Sequence, residues 1–82
     1  MKAKRIWTIK DLKKALKDGQ PHDFAIALNG GVYSRKTITL LPDGRFQIFA
    51  HIDDTEMTVN YAKMRSRTNI VKAMRLRNFW AI

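Results

Sequence analysis

The chain has 82 residues, of which 45% are hydrophobic and 28% charged, with four glycines, two prolines and no cysteine. This composition is typical of one folded domain covering residues 1–82, and it excludes a disulfide framework and thiolate metal sites. No apolar run reaches the length of a membrane span, and the first residues lead into no apolar signal segment. We therefore expect a cytoplasmic protein with no membrane partner.

The net charge of +9 is concentrated at the two ends of the chain. Residues 1–17 contain seven bases and one acid, residues 18–56 contain three bases and six acids, and residues 57–82 contain six bases and no acid. Because self-repulsion at this charge costs stability, the distribution favours a polyanionic partner such as nucleic acid or an acidic protein surface. The alternative is that the basic residues only solvate the surface.

The first predicted element after a basic N-terminal segment, residues 1–7, is a helix over residues 8–18. Thr8 is a suitable N-cap, Asp11 follows at the capping-box position, and Gly19 is a natural stop. The apolar stripe consists of Ile9, Leu12, Ala15 and Leu16, and the opposite face carries Lys10, Lys13, Lys14 and Lys17.

Residues 22–59 predict an antiparallel β-meander of three to four strands. Strands are expected over 22–29, 32–41 and 45–52, and residues 55–59 are a possible fourth. Asn29-Gly30-Gly31 and Pro42-Asp43-Gly44 supply the turns. Alternation places Phe24, Ile26, Leu28, Ile38, Leu40, Phe46, Ile48, Ala50 and Ile52 inward. It places Ala25, Ala27, Tyr33, Arg35, Thr37, Thr39, Arg45, Gln47, Phe49 and His51 outward.

Residues 60–82 predict a helical region and a possible short terminal strand. Asn60 caps a short helix, Thr68 caps a second one, and Asn78 ends it in a left-handed conformation. Residues 79–82 are too apolar for a free tail and are expected to dock as an edge strand. The predicted fold class is a small two-layer α+β domain in which helices from both ends cover one face of an antiparallel sheet.

Catalytic and metal-binding patterns are weak. The two histidines are far apart, and Asp53, Asp54 and Glu56 do not have the spacing of an EF-hand loop. We expect no enzymatic activity, no catalytic residue, no cofactor and no metal site.

Three sets of bases are candidate anion-binding residues. They are Lys10, Lys13, Lys14 and Lys17 on the first helix, Arg35, Lys36 and Arg45 as a bridge across the sheet, and Arg65, Arg67, Lys72, Arg75 and Arg77 around the helix start at Thr68. The segment 29–36 combines a Gly-Gly turn with polar donors, which suits a phosphate contact, although an ordinary hairpin explains it equally well.

Aromatic side chains on an uncovered sheet face are candidates for base stacking. Tyr33 and Phe49 are expected on that face, beside Arg35 and His51. The alternatives are that the C-terminal segment covers Phe49 or that Phe49 packs in a dimer.

Several short motifs resemble a group of short bacterial proteins found on phages, plasmids and other mobile elements. The matching residues are Gly30-Gly31 with Ser34-Arg35-Lys36 and Ile38, Gly44-Arg45-Phe46 with Ile48, Ile52-Asp53-Asp54-Thr55, and Thr68-Asn69-Ile70 with Ala73-Met74. The resemblance covers residues 9–82 and implies no particular activity. It implies a context, since small mobile-element proteins often bind DNA or disarm a host defence complex.

These observations favour a non-enzymatic basic module that binds nucleic acid or a nucleoprotein through phosphate contacts. The competing hypothesis is a mobile-element inhibitor or adaptor that docks on an acidic protein surface. A third is a homodimer that pairs through the sheet face or the terminal strand. The sequence leaves open whether the two basic ends share one face.

Overall fold

The computed structural model describes residues 4–27, 33–66, 68–76 and 78–82, and these form an antiparallel sheet with helices on one face. The elements are β1 (Lys4–Arg5), α1 (Ile9–Ala15), β2 (His22–Ala27), β3 (Tyr33–Leu40), β4 (Phe46–Ala50), β5 (Thr55–Val59), α2 (Tyr61–Ser66), α3 (Thr68–Arg75) and β6 (Phe79–Ala81). The strand order is β1-β6-β2-β3-β4-β5, and all pairs are antiparallel. The predicted α+β class is confirmed.

Helix α1 begins directly after its predicted cap, Thr8. The Asp11 N–H donates to Thr8 Oγ1 at 3.1 Å, which satisfies one of the N–H groups left free in the first turn. The regular helix is shorter than the predicted span of 8–18, because residues 16–18 form a turn. Gly19, at φ +72°, closes that turn by donating its N–H to the Leu16 carbonyl at 3.0 Å.

The meander is confirmed as four strands, β2 to β5. Gly44 adopts φ +89° in the tight turn between β3 and β4. The turn predicted at 29–31, together with Leu28, lies outside the described residues. The inward prediction for Ile52 is wrong, since β4 ends at Ala50 and the following turn leaves Ile52 78% exposed.

The C-terminal region contains the two predicted helices. Asn60 caps α2, with its Oδ1 accepting the Lys63 N–H at 2.7 Å. The left-handed conformation predicted for Asn78 involves its bond to Arg77, which lies outside the described residues, so it stays a prediction. The Asn78 N–H closes the end of α3 by donating to the Ala73 carbonyl at 2.8 Å.

Strand β6 lies inside the sheet, so its predicted edge position is wrong. Arg5 pairs with Trp80 on one side of β6, and Ala25 pairs with Trp80 on the other. The N-terminal segment was predicted only to be basic, yet it contributes the edge strand β1. A two-residue strand has no alternation for a sequence pattern to reveal.

The core lies between the helices and one face of the sheet. It contains Ile6, Ile9, Leu12, Leu16, Phe24, Ile26, Ile38, Phe46, Ile48, Val59, Met64, Ile70, Ala73, Met74 and Phe79. On the opposite face Arg35 is exposed and Thr37 and Phe49 are half-buried, so the helices cover one face, as predicted. No helix in the described ranges is long and apolar enough to cross a membrane.

Candidate nucleic-acid interface

The charges divide between the two layers of the fold. We define the helical layer as residues 8–18 and 60–76, and the sheet layer as residues 4–5 and 19–59. Over the described positions, the helical layer holds eight bases and two acids, whereas the sheet layer holds five of each. The positive charge of the molecule is therefore concentrated on its helical side.

The two basic ends of the chain meet at Tyr61, the first residue of α2. Lys13 Nζ lies 5.1 Å from the centroid of the Tyr61 ring, and Arg65 Cζ lies 5.9 Å from it. Both distances are within the range of cation–π attraction, and the ring remains 39% exposed. The contact brings a base of α1 and a base of α2 to the same aromatic ring.

Two adjoining grooves lie near this contact, one between α2 and α3 and the other between α3 and the start of α1. Arg65, Val71 and Arg75 line both of them. Lys72 lines the groove of about 450 Å³, and Trp7 lines the groove of about 350 Å³. We call the two together the basic groove. Its guanidinium and ammonium groups surround a partly apolar floor, an arrangement that suits an anion attached to flat or apolar groups.

The remaining lysines of α1 lie on the other side of that helix or along its exposed face. Lys14 lines a separate concavity of about 410 Å³ together with Lys4, Arg5 and Trp7. Lys10 and Lys17 are exposed. Trp7 thus lies between the concavity at Lys14 and the basic groove.

The three bases predicted to bridge the basic ends do not form one strip. Arg35 Nη2 binds Asp23 Oδ2 at 2.5 Å, and Arg45 Nε binds Asp43 Oδ2 at 2.6 Å in the turn before β4. Arg35 and Lys36 are neighbours in a strand, so their side chains point to opposite faces. Arg35 and Arg45 thus contact carboxylates and Lys36 points to the other face, and an anion-binding role for these three bases stays a prediction.

Phe49 lies on the uncovered sheet face in polar surroundings. Its ring meets the His51 ring edge-on, with centroids 4.7 Å apart. Asp23 and Glu56 stand on the same face, and Glu56 accepts a hydrogen bond from Gln47. The carboxylates make this face less suited to phosphates than the helical layer.

A hydrogen-bonded network connects three side chains beside Phe49. The Thr37 hydroxyl donates to Asp23 Oδ1 at 2.5 Å, and His51 Nε2 lies 2.6 Å from the same hydroxyl. Because the hydroxyl has one proton, His51 is the donor in the second bond. The Thr37 hydrogen bond, assisted by Arg35, holds the pKa of Asp23 below its ordinary value. The network stabilises a carboxylate and does not activate the hydroxyl as a nucleophile.

The acidic residues in the turns accept hydrogen bonds from residues of the same turn. The backbone N–H of Gln20 lowers the pKa of Asp18, and that of Arg45 lowers the pKa of Asp43. Asp53 accepts hydrogen bonds from the hydroxyl and N–H of Thr55, which lower its pKa. No cluster of three potential metal ligands occurs among the residues that the structure describes.

Two aromatic residues of this surface, Trp7 and Tyr61, were missed by the sequence analysis as binding candidates. The spacing of Tyr61 and Arg65 places them on one face of a helix, which is a readable signal. The contact between Lys13 and Tyr61 joins distant parts of the chain and has no such signal. Arg67, Arg77 and the side chain of Tyr33, which were predicted to bind, lie outside the described part of the structure.

Comparison with known proteins does not assign the chain to a family. No protein-family model, curated protein or solved structure matches the chain. Any function proposed for the chain therefore rests on the charges, rings and grooves of the described residues.

Proposed function

We propose that this protein is a non-enzymatic module that binds nucleic acid through phosphate contacts on its helical layer. The observation that supports the proposal most directly is the meeting of both basic ends at Tyr61. A polyanion lying on this surface would neutralise bases from α1, α2 and α3 together, and it would meet few carboxylates.

The number of basic residues on the helical layer determines how strongly nucleic-acid binding should depend on salt concentration. Contact with about six phosphates predicts that the logarithm of the binding constant falls with the logarithm of salt concentration at a slope of about −4 to −5. Such a slope reflects released counterions, and it is independent of base sequence.

Two matched double variants test where the phosphates bind. Arg65→Gln with Arg75→Gln and Arg35→Gln with Arg45→Gln each lower the net charge from +9 to +7. Binding to labelled DNA and RNA is measured by fluorescence anisotropy over a series of salt concentrations. We expect the first pair to reduce the slope by about 2 and the affinity by about 10-fold or more, because two phosphate contacts are lost.

The second pair serves as the control. Since Arg35 and Arg45 contact Asp23 and Asp43, their neutralisation is expected to leave the slope unchanged and the affinity within about 2-fold. Equal losses from the two pairs would mean that net charge alone drives binding. Absence of binding by the unmodified protein at low salt would contradict the proposal itself.

The second candidate function is an inhibitor or adaptor that docks the same helical layer on an acidic protein. Leu76 favours it, because this large apolar side chain is 48% exposed directly after Arg75. An apolar residue next to bases is common in protein interfaces. The discriminating result is a complex of fixed stoichiometry with a protein, together with no affinity for nucleic acid at physiological salt.

A further inference from the structure

Two exposed aromatic rings lie in or beside the basic groove, and each has basic side chains close to it. Trp7 is 49% exposed, and Arg5 Cζ lies 5.4 Å from its ring centroid. Tyr61 is 39% exposed and has Lys13 and Arg65 at 5.1 and 5.9 Å. Large aromatic surfaces are more often buried, so two exposed rings among bases need a reason.

The basic groove has Trp7 in its lining, and its Arg65 also contacts Tyr61. Trp7 lines the groove of about 350 Å³ together with Arg65 and Arg75, and Arg65 also lies against Tyr61. Val71 lines both grooves and adds an apolar surface to them. A linear ligand in which flat apolar groups alternate with negative charges could therefore contact both the aromatic rings and the basic side chains.

Single-stranded nucleic acid has this chemistry, because its unpaired bases expose their faces and its phosphates follow at regular intervals. A duplex stacks its bases against each other and offers only phosphates and groove edges to a protein surface. Duplex recognition would not use the exposed parts of the Trp7 and Tyr61 rings. The shared chemistry of DNA and RNA strands is sufficient for stacking, so both fit the groove.

We propose that the basic groove binds single-stranded nucleic acid, with unpaired bases stacked on Trp7 and Tyr61 and phosphates held by Arg65, Lys72 and Arg75. This inference rests on the proposed function and specifies its ligand. It differs from the expectation that Tyr33 and Phe49 on the uncovered sheet face provide the stacking surface.

The first test compares three probes with the intact protein at one salt concentration. They are a labelled oligothymidylate, a labelled oligouridylate and a blunt DNA duplex of the same length. We expect either single strand to bind at least about 10-fold more tightly than the duplex, because stacking on two rings adds to the phosphate contacts.

Ring-removing variants locate the stacking. Trp7→Ala and Tyr61→Ala are each expected to weaken binding to the single strand by about 5-fold or more and to change duplex binding by less than about 2-fold. Trp7→Phe retains a ring and should keep most of the affinity. Phe49→Ala is the matched control on the sheet face and should leave affinity unchanged. Circular dichroism and thermal unfolding establish that each variant is folded.

Tryptophan fluorescence gives a second measurement that does not depend on affinity. The chain has two tryptophans, so Trp80→Phe leaves Trp7 as the only reporter, and Trp7→Phe leaves Trp80. Stacking predicts strong quenching of the Trp7 signal by oligothymidylate and weaker quenching of the Trp80 signal.

The outcomes separate this inference from the proposed function. If duplex binds as tightly as the single strands, or if the two alanine variants and the fluorescence show no effect, the stacking inference is wrong and phosphate binding stands. If no probe binds at low salt, both are wrong. If Phe49→Ala weakens single-strand binding and Trp7→Ala does not, the ligand lies on the sheet face.

Discussion

At the scale of single residues, Asp23 is the carboxylate that joins Thr37 and Arg35 on the uncovered sheet face. It accepts hydrogen bonds from Thr37 and Arg35, and its pKa is lowered mainly by the Thr37 hydroxyl. A carboxyl group with a lowered folded-state pKa contributes stability that is present above its unfolded pKa of about 3.9 and is lost as the pH falls through the folded value.

Thr37→Val should reduce how strongly the free energy of unfolding depends on pH in the acidic range. Because the hydroxyl donor is lost, the pKa of Asp23 rises toward its ordinary value, and the protein becomes less stable at neutral pH. The stability that the variant loses between about pH 4 and pH 2 is then smaller than the stability that the unmodified protein loses. Urea unfolding at several pH values measures this effect. Thr39→Val, the next outward position of β3, is the control, and an equal acid dependence in both variants would contradict the assignment.

Residue types alone indicated the bases of the interface but not which of them are close together. The exposed lysines of α1 and the bases of α2 and α3 could be predicted from helical spacing. The pairing of Arg35 with Asp23 could not, because it depends on the register between β2 and β3. Nor could the position of Lys13 beside Tyr61, which requires the packing of two helices that are distant in sequence.

At the scale of elements, the sequence predicted best where several local signals agreed. Helix α1 has a cap, an apolar stripe and a terminal glycine, and β2 to β5 have alternation and turns. Strands β1 and β6 have two and three residues, too few for a period to be recognised. Their pairing is a long-range contact, so the sequence did not predict that β6 lies between β1 and β2.

A substitution at Phe79 tests whether β6 is packed inside the domain. The Phe79 side chain is fully buried and lies 5.3 Å from Phe24, ring centroid to centroid. Phe79→Ala should lower the free energy of unfolding by about 3–5 kcal/mol, because it removes a large side chain from the core. Ile82→Ala, three residues on and 61% exposed, should change it by less than about 0.5 kcal/mol. Chemical denaturation measures both, and similar small losses would mean that β6 is a peripheral strand.

At the scale of the whole molecule, folding brings separated charges together. The sequence showed two basic ends around an acidic middle, and this pattern predicts a polyanionic partner without giving its position. The fold places most of the described bases of the two ends in the helical layer, whereas Lys4, Arg5 and most acids lie in the sheet layer. The result is a small body of about 35 × 26 × 22 Å with one strongly basic side and one nearly neutral side.

The most direct test of this account is an NMR titration of the ¹⁵N-labelled protein with oligothymidylate, following each backbone amide. We predict that the largest shifts occur in α1, α2 and α3 and around Trp7, and that the amides of Thr37, Gln47 and Phe49 on the uncovered sheet face change little. Largest shifts on β3 and β4, with the helices unaffected, would contradict the central claim that the helical layer is the binding surface.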